Sequence, residues 1–207
     1  MHYKKDLKKI KPAVVYSEKD WLMSHIMLNL AVEEILKRVA LDRSYDIPYL
    51  AGYSKDGKTI YIDRHMPESF ISVGCVIQTD RFLILHETVE KTLIDQLKLR
   101  YQFAHQIALR AEQSAVRADK ISWREYDRFT QRYVKEIGSE ELLRVPADLD
   151  TRPYRDEHDK ELLAKIEQVI HEQLLHDNAK NEVGEKDKVV EKKEATSQPT
   201  KKTSSIN

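Results

Sequence analysis

Apolar residues Trp21, Leu22, Met27, Leu28, Ala31, Ile35 and Val39 recur at the three-to-four-residue spacing of one helix face. Ser17 is placed to cap that helix, Glu18 and Asp20 fall in its first turn, and the spacing predicts a helix to about Ala40. From Ile47 the period shortens to two. The stretches YLAGY and TIYIDR flank SKDGK, an alternation around an Asp-Gly turn that predicts a β-hairpin with Ile60 and Ile62 on one side and Tyr61 and Asp63 on the other. A second extended run, Ile71 to Ile77, is expected to complete a small antiparallel sheet of about three strands. Helical spacing then returns. Thr79 or Asp80 caps a helix ending near Lys98, a second runs from Tyr101 to Asp119, and a third runs from Ser122 to Ile137 with Gly138 at its end. Ala104, Ala108, Ala111 and Ala115 form a small-residue stripe that would let a neighbouring helix approach closely.

The segment LLRVPADLDTRPY, with two prolines, is expected to wrap over the domain in extended form. Asp156 to Asn178 then carries Leu162, Leu163, Ile166, Ile170, Leu174 and Leu175 as one apolar stripe, fit to pack on the core or against a partner. The predicted organisation is a basic N-terminal arm over 1–16, in which AVVY could add an edge strand; an α+β domain over 17–155; an additional amphipathic helix over 156–179; and a disordered polar tail over 180–207. The fold class is α+β, mainly helical with a small antiparallel sheet and paired central helices.

Composition narrows the partners. Lys+Arg and Asp+Glu both total 35 in 207 residues, so no overall field favours nucleic acid or a membrane surface. The single cysteine, Cys75, rules out an intramolecular disulfide and a cysteine-rich metal site, and its apolar setting ISVGCVI predicts core packing. No apolar run is long enough to span a bilayer and the N-terminus lacks a signal-peptide core, so a cytoplasmic protein is expected, with signal-independent export left open.

The candidate chemistry lies in Arg81 to Glu112. Four apolar residues, Phe82 to Leu85, run straight into His86 and Glu87, so ionisable groups begin where a helix is buried, and buried charges need partners or a metal. His86 and Glu90 are one turn apart on the same face, while Glu87 is rotated from His86 by about 100°. Tyr101, His105, Ala108 and Glu112 share a face of the next helix, and the short connection KLR lets the two faces meet if the helices fold back as a pair. A catalytic zinc site takes three His or carboxylate ligands and one open position for water. His86, Glu90 and His105 fill that count, and Glu87 is the candidate general base. Glu112 is expected to orient a ligand or to pair with Lys91 or Arg110, and Tyr101 or Tyr61 to donate to a developing oxyanion. His65 is a reserve ligand, with a loop-surface role the commoner one for such a residue. Arg152 and Tyr154 either reach over the site or tie the late segment to the surface. His25 reads as a partly exposed helix residue. His171 and His176, five apart, diverge by about 140° and make no ligand pair.

HETVE after an apolar run resembles the active-site helix of zincin metallopeptidases, whose usual pattern is HExxH. GYSKDGKTIYIDR, LHETVEK, YQFAHQIALRAEQSAV and PADLDTRPY together are similar to a family of uncharacterised bacterial and phage-associated proteins with an HExxE motif, over roughly Ala51 to Tyr154. The zincin likeness implies a zinc-dependent hydrolase acting on a peptide or protein, and Glu90 in place of the second histidine is the departure. The competing expectation is a non-enzymatic interaction protein, docking a partner through its C-terminal helix, with the His/Glu cluster as a structural network. Metal-free acid/base chemistry and a carboxylate-rich two-metal site are lesser alternatives.

Overall fold

A computed structural model of the chain describes residues 18–176, with side chains from 25 onward. The N-terminal arm, its AVVY strand, the Ser17 cap and the polar tail lie outside the described residues. The order of elements is α1 (Glu18–Leu36), β1 (Ala40–Asp42), β2 (Ala51–Tyr53), β3 (Thr59–Ile62), β4 (Ser69–Ser72), β5 (Cys75–Gln78), α2 (Asp80–Leu97), α3 (Tyr101–Ala118), α4 (Trp123–Gly138) and α5 (Arg152–Asp156). A sixth helix, α6, covers 160–176. The class is α+β, mainly helical, as its periodicities predict.

The first hairpin forms where Asp-Gly places it. Gly57 turns with φ 71, and the Ser54 and Asp56 side chains accept the Lys58 amide, so a left-handed residue and two local acceptors close the loop. A Cβ at Gly57 would sit 3.3 Å from Lys91 Cε, which leaves little room for any other residue. β2 and β3 pair antiparallel, Gly52 opposite Tyr61. The third strand of this sheet differs from expectation. It is β1, parallel to β3 with Leu41 opposite Ile60, and the order is β1-β3-β2. Helix α1 therefore stops at Leu36, short of Ala40, and the Ala40 amide donates to Lys58 O at 2.8 Å. The run from Ile71 to Ile77 is not one strand. It folds on Val73 and Gly74, both with positive φ, into a separate two-stranded sheet, β4-β5. That turn carries Cys75 to the end of an outward hairpin, where it is exposed, so the expected core packing of Cys75 is overturned.

Three apolar clusters hold the elements around the site, the smallest being Tyr53, Ile94, Tyr101 and Ala104 between β2, α2 and α3. Leu28, Val32 and Ile35 of α1 pack with Ile60 and Ile62 of β3, Phe82 to Ile84 of α2, Val116 of α3 and Tyr126 of α4. On the other face of the sheet, Tyr61 packs with Ile47, Val145, Leu149, Tyr154 and Ile166, which brings the late segment and α6 onto the domain. The late segment runs without regular structure over 141–146, turns at 147–148 where the Leu149 amide donates to Pro146 O, bridges Ser54 at Leu149, and then forms the short helix α5. Of the α6 stripe, Ile166 is buried while Leu174 and Leu175 remain exposed. Gln173 clamps that helix to both the amide and the carbonyl of Val145. No helix among the described residues is long and apolar enough to cross a membrane.

Candidate metal centre

Helix α2 enters the core with Phe82, Leu83 and Ile84 buried, so its next turn is buried as well, and His86, Glu87 and Glu90 have relative exposures of only 6%, 7% and 3%. Residues 98–100 then reverse the chain, with Lys98 in the left-handed region donating its amide to Leu93 O. Helix α3 returns antiparallel along α2, and fully buried Ala104 and Ala108 allow the close approach. The pairing register puts Glu112 beside His86 and His105 beside Glu90.

Three ligand atoms converge in this seam. His86 Nε2 lies 3.2 Å from His105 Nδ1, His105 Nδ1 lies 3.0 Å from Glu90 Oε2, and Glu90 Oε2 lies 3.6 Å from His86 Nε2. Bonds of about 2.0–2.1 Å in a tetrahedral zinc shell put neighbouring ligand atoms about 3.3 Å apart, and a point at that bond length from all three atoms lies about 0.7 Å off their plane. The triangle thus has the dimensions of one face of a metal tetrahedron.

The surrounding groups fix the triangle. Glu112 Oε2 sits 2.8 Å from His86 Nδ1 and, being a carboxylate, accepts that proton, so that Nε2 is the nitrogen turned to Glu90 and His105. Tyr126 of α4 donates to the other oxygen, Glu112 Oε1, at 2.6 Å. Tyr53 of β2 donates to Glu90 Oε1 at 3.1 Å. The Tyr101 hydroxyl lies 3.4 Å from His105 Nδ1. Lys91, the residue after Glu90, points the opposite way. Its ammonium bonds Asp150 Oδ2 at 2.8 Å and Lys55 O at 2.9 Å, and it lies 4.8 Å from the centroid of the Tyr53 ring.

Electrostatics separate the carboxylates. Burial pushes the Glu87 carboxyl up, the Glu90 charge pushes it further, and the group reaches about 8. Burial also raises Glu90, but hydrogen bonds from His105 and His86 outweigh it and hold the group below the usual carboxylate value. Burial works to lower His86, yet its bonds to Glu112 and Glu90 prevail and raise it well above an ordinary imidazole. Glu87 makes no hydrogen bond or ion pair with any described residue; it faces a cavity of about 450 Å³ that is also lined by His86, Glu90, His105 and Glu112.

The structure brings together all six residues singled out as site residues from the sequence: His86, Glu87, Glu90, Tyr101, His105 and Glu112. Glu112 orients a candidate ligand and does not pair with Lys91. Tyr154 lines the cavity, whereas Arg152 ties Asp150 to Asp95, so the two late residues divide the roles considered for them. Tyr61 is not at the site: its hydroxyl donates to Asp148 at 2.6 Å on the far face of the sheet, which removes it as an oxyanion donor. His65 stands apart, half exposed, with its Nδ1 2.8 Å from Glu140 Oε2; its ring lies near Asp46 and Asp63 in a loop cluster whose carboxylates already accept amides of Ile47, Leu143 and Arg144. His25 pairs with Asp119, and His171 and His176 are exposed on α6. Tyr53, Tyr126 and Asp150 were not foreseen. A signal existed for Tyr126, since it shares a face with Thr130 and Ile137 on α4, and a buried tyrosine hydroxyl needs an acceptor.

Comparison of the chain with protein-family models, with curated proteins and with solved structures finds no match in any of the three. The chemistry of the centre has to be read from its own atoms.

Proposed function

We propose that this protein is a metal-dependent hydrolase of peptide or amide bonds, with His86, Glu90 and His105 holding a divalent metal, zinc by ligand type, and Glu87 acting as general base. The observation that carries the reading is the triangle of 3.0, 3.2 and 3.6 Å lining a cavity, with Glu87, a buried carboxylate that has no partner among the described residues, beside it. A metal in this position supplies a Lewis acid and lowers the pKa of a water in its open position to about 7. The chain's own residues do the rest. Glu112 and Tyr126 keep His86 in the tautomer whose Nε2 is free to bind, and Tyr53 turns Glu90 so that Oε2 faces inward. Glu87, with no hydrogen-bond partner among the described residues, would take a proton from attacking water and return it to the leaving amine once the charge of a bound divalent cation offset the burial and the Glu90 charge that raise its carboxyl to about 8.

A second reading has its own support. The distances among His86, Glu90, His105 and Glu112 are also hydrogen-bond distances, so these four can close a network without a metal, as in a non-enzymatic interaction protein. Glu87 stands outside that network, which favours the hydrolase. The deciding experiment is elemental analysis of the full chain purified under zinc-replete conditions. Near-stoichiometric zinc is expected in the wild type and loss of it in both His86→Ala and Glu90→Ala. A wild-type protein without metal removes the hydrolase reading in favour of the network.

A further inference from the structure

The cavity over the candidate centre is unbalanced in charge. Six carboxylates line it, those of Glu87, Glu90, Glu112, Asp127, Asp150 and Glu157, and no lysine or arginine among the described residues does. Some of these are answered from within the protein. Asp150 is paired from behind by Lys91 and Arg152, and Glu90 and Glu112 hold imidazoles and tyrosine hydroxyls. Glu87 is more than nine-tenths buried, faces the cavity, and has no partner among the described residues. Glu157, exposed after the last turn of α5, makes no ion pair or side-chain hydrogen bond with any of them.

The wall is aromatic. Tyr49, Tyr53, Tyr101 and Tyr154 all line the space, with the Tyr49 and Tyr154 rings 5.4 Å apart and tilted by 39°. Tyr49 is 43% exposed, and its backbone and that of Leu50 both lie in the left-handed region, with φ 63 and 79. Two successive side-chain-bearing residues rarely adopt this conformation, which is costly and needs the surroundings to enforce it. Here Tyr49 is held by its own hydroxyl, which donates to Asp159 Oδ2 at 3.1 Å, and by Leu50, buried in the main core. In this conformation the half-exposed Tyr49 ring lines the cavity.

Tyrosine faces and a free carboxylate are the two elements that bind an organic cation. Away from the His86–Glu90–His105 centre, a substrate's terminal carboxylate, phosphate or acidic side chain would meet carboxylates and tyrosines in this cavity and no lysine or arginine among the described residues. We propose that the substrate presents a cationic group, an ammonium or guanidinium of lysine or arginine type, to Glu157 and the tyrosine wall while its scissile bond reaches Glu87. The cleavage step rests on the hydrolase reading above; the cation subsite stands on the wall residues alone.

The probes are capped tripeptides, acetyl-Ala-X-Ala-amide with X as lysine, arginine, norleucine or glutamate, titrated against the full chain by NMR with and without one equivalent of zinc. The lysine and arginine peptides are expected to bind about tenfold more tightly than norleucine, with glutamate weakest and the preference present in both metal states. Glu157→Lys, an exposed position, should fold normally and lose that preference. Equal affinity for norleucine or glutamate, no binding by any probe, or a preference untouched by Glu157→Lys overturns the proposal. Mass spectrometry of the zinc-loaded mixtures separates the two readings: cationic preference without cleavage of any peptide counts against the hydrolase and leaves the subsite standing, whereas cleavage without preference does the reverse.

Discussion

The segment that closes the cavity is held by one buried ion cluster, and Asp150→Ala tests how much of the site's architecture depends on it. Asp150 is the hub. Its carboxylate accepts from Lys91 Nζ at 2.8 Å, from Arg152 Nε at 2.9 and 3.0 Å and from the Arg152 amide at 3.0 Å, while its backbone amide donates to Tyr53 O at 2.9 Å. The side chains of Lys91 and Asp150 are 9% and 5% exposed, so removing the anion strands a buried ammonium. Breaking a buried pair from one side costs roughly 3–5 kcal/mol. Lys91 keeps Lys55 O at 2.9 Å and Asp95 at 3.1 Å, and Arg152 is more than a third exposed, which places the expected loss at the lower end, about 3 kcal/mol. In urea unfolding followed by circular dichroism, a slope of about 2–3 kcal/mol per molar turns that into a midpoint about 1 M lower. The pH dependence carries a sign. Burial raises Asp150, but hydrogen bonds from Arg152 and Lys91 outweigh it and depress the group in the folded state. Its contribution is then complete above the unfolded carboxylate value of about 3.9 and disappears as pH falls through the lower folded value. The gap between wild type and Asp150→Ala should be constant from about pH 5 to 8 and narrow below about pH 4. A loss under about 0.5 kcal/mol at pH 7, or a gap that widens in acid, refutes the reasoning.

Two further outcomes follow from the neighbours of the centre. Glu112→Gln keeps the shape of the side chain but removes the charge that His86 Nδ1–H meets at 2.8 Å, and it should weaken zinc affinity by about 10–100-fold in competition with a chelating dye while leaving the far-ultraviolet spectrum unchanged. Unaltered affinity would detach Glu112 from the metal role. Glu87→Met exchanges a buried carboxyl without a partner for an apolar chain of similar length, so the metal-free protein should gain about 1–3 kcal/mol in urea unfolding, and a loss of stability would mean that Glu87 has a partner after all.

How much of this was legible in the sequence depended on distance along the chain. Helices α2 and α3 carry strong 3.6-residue patterns, and the i, i+4 relation of His86 to Glu90 follows from α2 alone. His105 could be brought to them because only residues 98–100 separate the helices, so an antiparallel return was the short solution. Asp-Gly announced the first hairpin. The misreadings came where a local pattern served two structures. Val39 and Leu41 continue the spacing of α1 as well as they begin a strand, and only the Ala40–Lys58 hydrogen bond, a long-range contact, decides for β1. In ISVGCVI the alternation survives a turn at Val73 and Gly74, so one strand and two short ones look alike, and with the turn the environment of Cys75 inverts. Tyr53, Tyr126 and Asp150 reach the site from β2, α4 and the late segment, and no periodicity within one element reports which side chains from distant elements will meet.

Glu87 is the residue on which the two functional readings part. Phe82 to Ile84 commit α2 to the interior before the ionisable residues begin, so Glu87 is buried by the helix that carries it and not by contacts of its own. A network selected for stability would give each buried acid a donor, as Glu90 has in Tyr53 and His105, and Glu112 has in Tyr126 and His86. Glu87 has none among the described residues, although α2 could bury an apolar side chain there at no such cost. Natural chains tolerate a penalty of this kind where the group acts, because activity and stability ask for different residues at one position. A more stable and metal-competent protein once Glu87 is made apolar is the outcome expected if it serves as a general base, and a loss of stability the outcome expected of a structural acid.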